Sequence, residues 1–228
     1  MLGLLYDVHG NLNALDAVLA DSREAGVERF VLGGDYALFG PQPAETVARL
    51  RELDADWIRG NGERWTAAPD EAPDDDVVQG AIAFCRDALG DALVAELAAL
   101  PPELSLYDAR ICHGSPVSDV RSFFPEPTAD EDELLQGVAE GRLIFGHTHL
   151  PFSRQSEHGI ELINPGSVGM PFDEDPRAAW AILRDDGEVE QRRVPYDHEA
   201  AAEAVRQIGL PWTETVAARI ERARFAVG

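Results

Sequence analysis

The first hundred residues alternate short apolar runs with amphipathic stretches. Leu2 to Tyr6 is an unbroken apolar run, the pattern of a buried strand. In the following NLNALDAVLADSREAG, Leu12, Leu15, Val18, Leu19 and Ala25 return to one face at helical spacing, and Gly26 stands where a helix stops. RFVLGGD reads as a second strand, PAETVARLREL as a helix with Pro43 near its start, and DWIRGN as a third strand. Strand, helix, strand, helix, strand at this spacing predicts parallel strands joined by helical crossovers.

Past residue 65 the pattern changes. TAAPDEAPDDD is polar and broken by proline, which predicts a loop, and two amphipathic helices are expected over 75–89 and 91–100. Residues 66–103 therefore read as a helical insertion covering one end of the sheet. SLYDARICHG, RLIFGHTH and GIELINPGS read as strands. AAWAILRDDGEVEQRRV reads as a hairpin turning at Asp186-Gly187, and 198–225 as two closing helices. The expected division is a core over 1–195, with the 66–103 insertion, and a C-terminal helical extension of the same domain over 196–228. One stretch resists this reading. Asn61-Gly62 in WIRGNGERW is a hairpin-turn signal, but ERWTAAPDEAPDDD beyond it is not a strand.

The chain has 228 residues, a net charge of -23 and no lysine; all 19 basic residues are arginine. Binding to long nucleic acid or an anionic membrane is disfavoured, because counterion release needs a basic face. Chemistry that needs a lysine, such as a Walker-A loop or a Schiff base, is excluded. Cys85 and Cys112 are too few for a disulfide framework, which points to a reducing compartment. MLGLLYDVHG lacks a basic segment, and its apolar run is too short for a signal peptide or a membrane span. A soluble, cytoplasmic protein is expected.

Five predicted strands each end in a short polar word rich in glycine: YDVHGN, LGGDY, RGNGE, ICHGS and FGHTH. They carry Asp7, His9, Asp35, Asn61, His113, His147 and His149. In open α/β sheets the ligand crevice lies beyond the carboxyl ends of the strands, so seven O and N donors are expected on one edge. Carboxylate, imidazole and amide oxygen together suit Mn, Fe, Co, Ni or Zn. Asp7-x-His9 and His147-x-His149 are i, i+2 pairs, whose members would face one side of a strand. Seven donors are too many for one such ion. They suit two divalent transition-metal ions that share a carboxylate, with water completing each shell. Any one of these residues alone is more often a turn former, a cap or a surface group; the joint pattern favours metal. His158 and His198 lie in polar contexts and read as surface residues.

Asp-x-His, Gly-Asp, Gly-Asn, His-Gly and Gly-His-x-His in this order resemble the calcineurin-like metallophosphoesterase family, and NPGSVG at 164–169 is similar to a loop of its small bacterial and archaeal phosphoesterase branch. The resemblance implies an α/β (α+β) fold, a double β-sheet sandwich flanked by helices. By position in the motifs, Asp7, His9 and His149 would hold one metal, Asn61, His113 and His147 the other, and Asp35 would bridge them. The implied activity is dinuclear metal-dependent hydrolysis of small phosphate esters, as a phosphodiesterase or phosphatase, with a metal-bridging hydroxide attacking phosphorus in line. Asn61 is then a ligand and not a hairpin turn. Many family members have a histidine after this asparagine that can protonate the leaving group; here the position is Gly62. Arg64 is a candidate to orient the substrate phosphate, and Ser115 to lie near the site. The insertion and the closing helices would shape the pocket or a contact between copies in a homo-oligomer. Two alternatives compete. Some relatives of the fold, such as the retromer-type subunit, have lost ligands and act as interaction scaffolds, but here the donor set is complete. A Ser/His hydrolase using Ser115 and His113 would lack any G-x-S-x-G elbow.

Overall fold

In the computed structural model, which describes residues 1–226, β1 (Leu2–Leu5), β2 (Arg29–Leu32) and β3 (Asp54–Trp57) are parallel. The helices α1 (Leu12–Glu24) and α2 (Pro43–Leu50) are the crossovers. β9 (Ala178–Leu183) pairs antiparallel with β1, and β10 (Val189–Val194) with β9, giving the order β10-β9-β1-β2-β3. The second sheet has the order β4-β5-β6-β8-β7. Its inner strands β5 (Ala109–Cys112), β6 (Arg142–Ile144) and β8 (Glu161–Asn164) are parallel. Its edges β4 (Glu103–Leu106) and β7 (Phe152–Gln155) are antiparallel.

The sheets pack face to face, and the alternation of side chains explains why β1 is apolar throughout. Leu2 and Leu4 point between the sheets, where they meet Ile111, Ile144 and Ile163. Leu5 points the other way, into a larger core with α1, Trp180 and Val216. A strand buried on both faces shows no polar alternation. β9 repeats the pattern, with all six residues buried. The hydroxyl of Tyr6 donates to the Ile144 carbonyl (3.3 Å), joining the two sheets at the edge where the parallel strands end.

α1 begins at Asn11, whose side chain accepts from Ala14 N–H (3.2 Å), and ends before Gly26 at φ 76°. This N-cap and left-handed stop are the signals its sequence carries. The closing helices are α6 (His198–Gln207) and α7 (Thr213–Arg222), packed on each other and on the first sheet's outer core. No helix of the described residues is long and apolar enough to cross a membrane.

Four elements differ from the sequence expectation. SLYDARICHG is two strands, not one: β4 and β5 form a hairpin with Tyr107 at φ 55°. β7 and the short α5 (Glu131–Leu134) carry no strong period and were not expected. Asn61 opens a helix, α3 (Asn61–Ala67), which continues into a 3-10 turn at Pro69–Glu71. The two helices expected over 75–89 and 91–100 are present: the helical segment α4 (Asp76–Ala98) is interrupted at Gly90, whose φ of 73° is non-helical, so it forms two helices that meet at an angle.

Candidate metal centre

All seven donors follow the carboxyl ends of parallel strands. Asp7 and His9 come after β1, Asp35 after β2, Asn61 after β3, His113 after β5, and His147 and His149 after β6. Their loops are stitched by backbone hydrogen bonds that extend the sheets past the last paired residue. Asp7 N–H donates to Gly34 O (3.2 Å), His9 N–H to Asp35 O (2.9 Å) and Gly146 N–H to His113 O (2.7 Å). The 164–169 loop braces the centre from one side. Val168 N–H donates to Tyr6 O (3.0 Å), Gly169 N–H to Asp7 O (3.0 Å), and the Ser167 hydroxyl to Asp7 O (2.7 Å).

Strand alternation is not what aims the paired donors inward. Asp7, His9, Asp35, His147 and His149 all have positive φ, between 49° and 68°, so the i, i+2 pairs lie in left-handed turns beyond the strands. Such conformations cost roughly 1–3 kcal/mol each in residues other than glycine, and they cluster where function over-determines the backbone. Gly34, at φ 95°, has only 2.5 Å between the position of a Cβ and the Gly60 nitrogen, so glycine is required for these two loops to touch.

The donors form two overlapping groups. Asp7, His9 and His149 each offer an atom within 4.8 Å of the others, as do Asp7, Asp35 and His113. Asp35 Oδ2 lies 3.9 Å from His9 Nε2 and Asp35 Oδ1 lies 3.5 Å from His113 Nε2, so its carboxylate spans the two histidines. Three imidazoles have their tautomer fixed by backbone carbonyls. The Nδ1 of His9 donates to Leu38 O (2.9 Å), that of His113 to Gly33 O (2.8 Å) and that of His149 to Met170 O (2.5 Å). This frees the three Nε2 lone pairs for an ion. Burial, with the neighbouring His149, pushes the His9 pKa down to about 3. Burial and His113 push His147 down to about 4, so both rings stay neutral and able to ligate.

These contacts make little sense without a cation. The Nε2 atoms of His9 and His149 face each other at 3.1 Å, and neither has a proton to share once its Nδ1–H is committed. Asp7 Oδ1 is buried with no hydrogen-bond partner among the described residues, although Nε2 of His149, His113 and His9 lie 3.5, 3.8 and 4.0 Å away. Burial raises the Asp7 pKa, but His149, His113 and His9 outweigh it, and the carboxyl is held below the usual range. Burial, with Glu63 and Asp7, raises Asp35 to about 7 against the opposing pull of His113. Asn61 turns its amide oxygen toward His113 Nε2 (3.0 Å) and His147 Nδ1 (2.9 Å). Without an ion the reversed amide would place an N–H there and satisfy both rings; with a cation between the lone pairs the oxygen would be the end that faces them. The donors present fit divalent ions.

Gly62 is tight for a reason other than φ. Its N–H donates to Asp35 Oδ1 (2.6 Å), and a Cβ there would stand 2.9 Å from the same oxygen. Glu63 was not recognised in the sequence. Buried, it accepts from Asp35 N–H (2.9 Å), Tyr36 N–H (2.8 Å) and Gly60 N–H (2.8 Å), locking the Asp35 loop to the Asn61 loop. Its signal is the acidic third position of a helix start, visible once Gly60 is read as an N-cap.

Arg64 lines the cleft, but its guanidinium holds both oxygens of Asp119 (2.7 Å each) and Glu71 (2.8 Å). The Ser115 hydroxyl donates to Ser118 O (3.1 Å) within a tight turn. His158 pairs with exposed Asp132 and His198 meets Tyr196 edge-on, both apart from the centre. The donors open onto a cleft of about 1100 Å³ whose walls carry Phe39, Trp65, Phe124 and Phe172. Phe172 stacks flat on His149, with ring centroids 4.4 Å apart.

A two-sheet sandwich with such donors at its strand ends is the architecture of the metallophosphoesterases. The chain matches the Calcineurin-like phosphoesterase superfamily domain over residues 1–186 and belongs to that family. It is 27% identical to the phosphodiesterase YfcE of Escherichia coli over 82% of this chain and 89% of that protein. It is 29% identical to an uncharacterised protein of Methanocaldococcus jannaschii over 92% of this chain and 94% of that one. Among solved structures, a metallophosphoesterase from Sphaerobacter thermophilus superposes with a TM-score of 0.83 at 27% identity, covering 97% of this chain and 98% of the other. The protein is a phosphoesterase of a metal-dependent family.

Proposed function

We propose that the protein hydrolyses small phosphate esters, diesters among them, with two divalent transition-metal ions. Asp7, His9 and His149 would hold one, Asn61, His113 and His147 the other, and Asp35 both. The observation that carries this reading is the orphaned Asp7 oxygen among three imidazole lone pairs. When bound, the ions supply positive charge to the phosphoryl oxygens and acidify water. The chain's own residues do the rest. Carbonyl-anchored imidazoles hold the donors in one tautomer, Glu63 fixes the spacing of the Asp35 and Asn61 loops, and the aromatic walls limit water around the ester. No side chain at Gly62 stands ready to protonate the departing oxygen. Cys85 and Cys112, free and buried, support a reducing compartment such as the cytoplasm.

The test is elemental analysis of reconstituted protein together with rates for esters of graded leaving-group acidity. Up to two ions per chain are expected, with aryl esters cleaved well and alkyl esters poorly, because general acid catalysis is worth about 10²–10⁴-fold. Trace metal only, after reconstitution, would refute the dinuclear reading. A flat leaving-group dependence, with chemistry rate-limiting, would show that another acid is present.

A further inference from the structure

Three arginines line the cleft over the donors. Arg64 holds Asp119 and Glu71, and Arg121 holds Asp130 and Glu133. Arg219, on the last turn of α7, forms no ion pair among the described residues. Its Nε donates to the Phe225 carbonyl (3.0 Å) and its guanidinium lies over the Phe225 ring, 4.4 Å from the centroid. The remaining guanidinium N–H groups have no acceptor among the described residues. The acidic side chain that bears on it is Asp75, whose carboxylate already caps α4 by accepting from Val77 and Val78 N–H (3.0 and 3.1 Å). Burial is the larger influence and lowers the Arg219 pKa against the smaller opposing pull of Asp75, so the cation is partly desolvated. In a chain with 42 acidic residues and 19 basic ones, a half-buried arginine in the cleft with no ion pair among the described residues is a costly arrangement unless an anion comes to it. A second unmet donor lies in the same cleft: Trp65 Nε1 is buried with no hydrogen-bond partner among the described residues.

The path from Arg219 to the donors is aromatic. Phe225 meets Phe172 edge-on at 5.5 Å, and Phe172 stacks on His149 at 4.4 Å. A cation with no ion pair among the described residues therefore stands at one end of an apolar platform and the metal donors at the other, in one cleft of about 1100 Å³. Arg219 and Phe225 also lie outside the family match, which ends at residue 186, so this end of the cleft belongs to the C-terminal extension.

We propose that Arg219 is a substrate-binding residue for a second anionic group, and that the substrate is a phosphate ester of nucleotide size: scissile phosphate at the donors, aromatic ring against Phe172 and Phe225, and a distal phosphate or carboxylate on the guanidinium. This rests on the phosphoesterase reading, and the test separates the two.

Adenosine 5′-monophosphate and adenosine 3′,5′-bisphosphate differ only by a phosphate remote from the first. Their affinities would be measured on metal-loaded protein, directly by calorimetry and by competition against an aryl phosphate diester. In the native chain the bisphosphate should bind roughly 10- to 100-fold more tightly, the usual worth of a hydrogen-bonded charge contact. Arg219→Gln should erase that advantage while leaving the monophosphate unchanged, and Arg219→Lys should restore part of it. Equal affinity of the native chain for both nucleotides overturns the proposal, as does an advantage that survives in Arg219→Gln. A merely structural role, clamping Phe225 and completing the end of α7, would weaken both nucleotides together. Should the loaded protein cleave no ester, the hydrolytic reading fails, and the binding titrations on the same protein still decide the role of Arg219. Should Arg219→Gln not fold, the native comparison and Arg219→Lys decide it.

Discussion

The floor of the cleft and its walls are held by different means. On the floor, His9, Asp35, Asn61 and His149 are buried, their loops are stitched by backbone hydrogen bonds, and five of the seven donors sit in strained left-handed turns. The walls are side-chain structures. Arg64 and Arg121 are held by ion pairs, and Val120, Phe124 and Phe225 are 41, 45 and 63% exposed. Exposed ion pairs contribute only about 0–1 kcal/mol, so the walls can shift at little cost while the floor cannot. The proposed metal chemistry falls on the floor and the proposed selectivity on the walls. Changes to the floor should act on metal content and rate, changes to the walls on affinity.

The largest effect is expected from Asp35→Asn. Asp35 spans His9 and His113, so its loss removes charge from both donor groups. Metal content should fall for both ions and hydrolysis by about 10²–10³-fold or more. The fold should persist, since Asp35 N–H and C=O keep their bonds to Glu63 and His9. Elemental analysis, turnover and circular dichroism check this; loss of one ion with the other retained would remove Asp35 from its bridging place.

Glu63→Gln comes next, with an effect on the floor exerted from behind it. The carboxylate satisfies three buried backbone N–H groups, and an amide cannot accept with its nitrogen. A stability loss of about 1–3 kcal/mol is expected. Metal affinity should fall about 10–100-fold, as for other residues that orient ligands. Chemical denaturation and metal titration would show both changes. A stability loss with unchanged metal affinity would mean that the two loops keep their spacing without Glu63.

How much of this was readable beforehand differs between floor and walls. The donors were legible because each is a polar residue beside glycine at the end of an apolar run, and strand ends converge by topology. Their conformation was not. The i, i+2 spacing suggested strand alternation, whereas the backbone places Asp7, His9, His147 and His149 in left-handed turns, which sequence spacing does not encode. Asn61-Gly62 looked like a turn because both residues tolerate one; tertiary contacts with Asp35 made it a helix start instead. The β4–β5 hairpin was hidden because Tyr107, not glycine, takes the positive φ of its turn. The walls were least legible. Phe172 and Arg219 lie far apart in sequence and meet only through Phe225, and no local period marks such a meeting.

Gly62→Ala should give an intermediate effect. The added methyl would sit 2.9 Å from Asp35 Oδ1, and that oxygen also accepts from the Gly62 N–H, so it cannot swing away without losing the bond. A displacement of a few tenths of an ångström should lower kcat by about 10-fold, given that misplacement by about 1 Å can cost 10². Both ions should remain bound. Because φ at this position is not in the left-handed region, the loss should track side-chain volume, and Gly62→Ser should behave like Gly62→Ala. Unchanged kcat in both variants would show that the Asp35 loop yields without consequence.

The smallest effect is expected from Arg64→Gln, and it tests whether floor and wall are separate at all. Arg64 is three residues from Asn61 on the same helix, so by sequence it belongs with the floor. By its bonds it belongs to the wall: Asp119 and Glu71 occupy the guanidinium and offset its charge, which leaves little to offer a phosphate. Losing these part-exposed pairs is worth up to about 1 kcal/mol, or roughly a fivefold rise in KM. The one route to the floor runs through Asp119, whose backbone carbonyl lies 3.2 Å from the Asn61 amide. If freeing the Asp119 side chain lets that carbonyl drift, the Asn61-side ion should weaken and kcat should fall with it. Steady-state kinetics with metal titration tell the outcomes apart. A rise in KM alone keeps Arg64 on the wall, and a fall in kcat comparable to that of Gly62→Ala would move the boundary of the metal centre outward to include the Arg64–Asp119 pair.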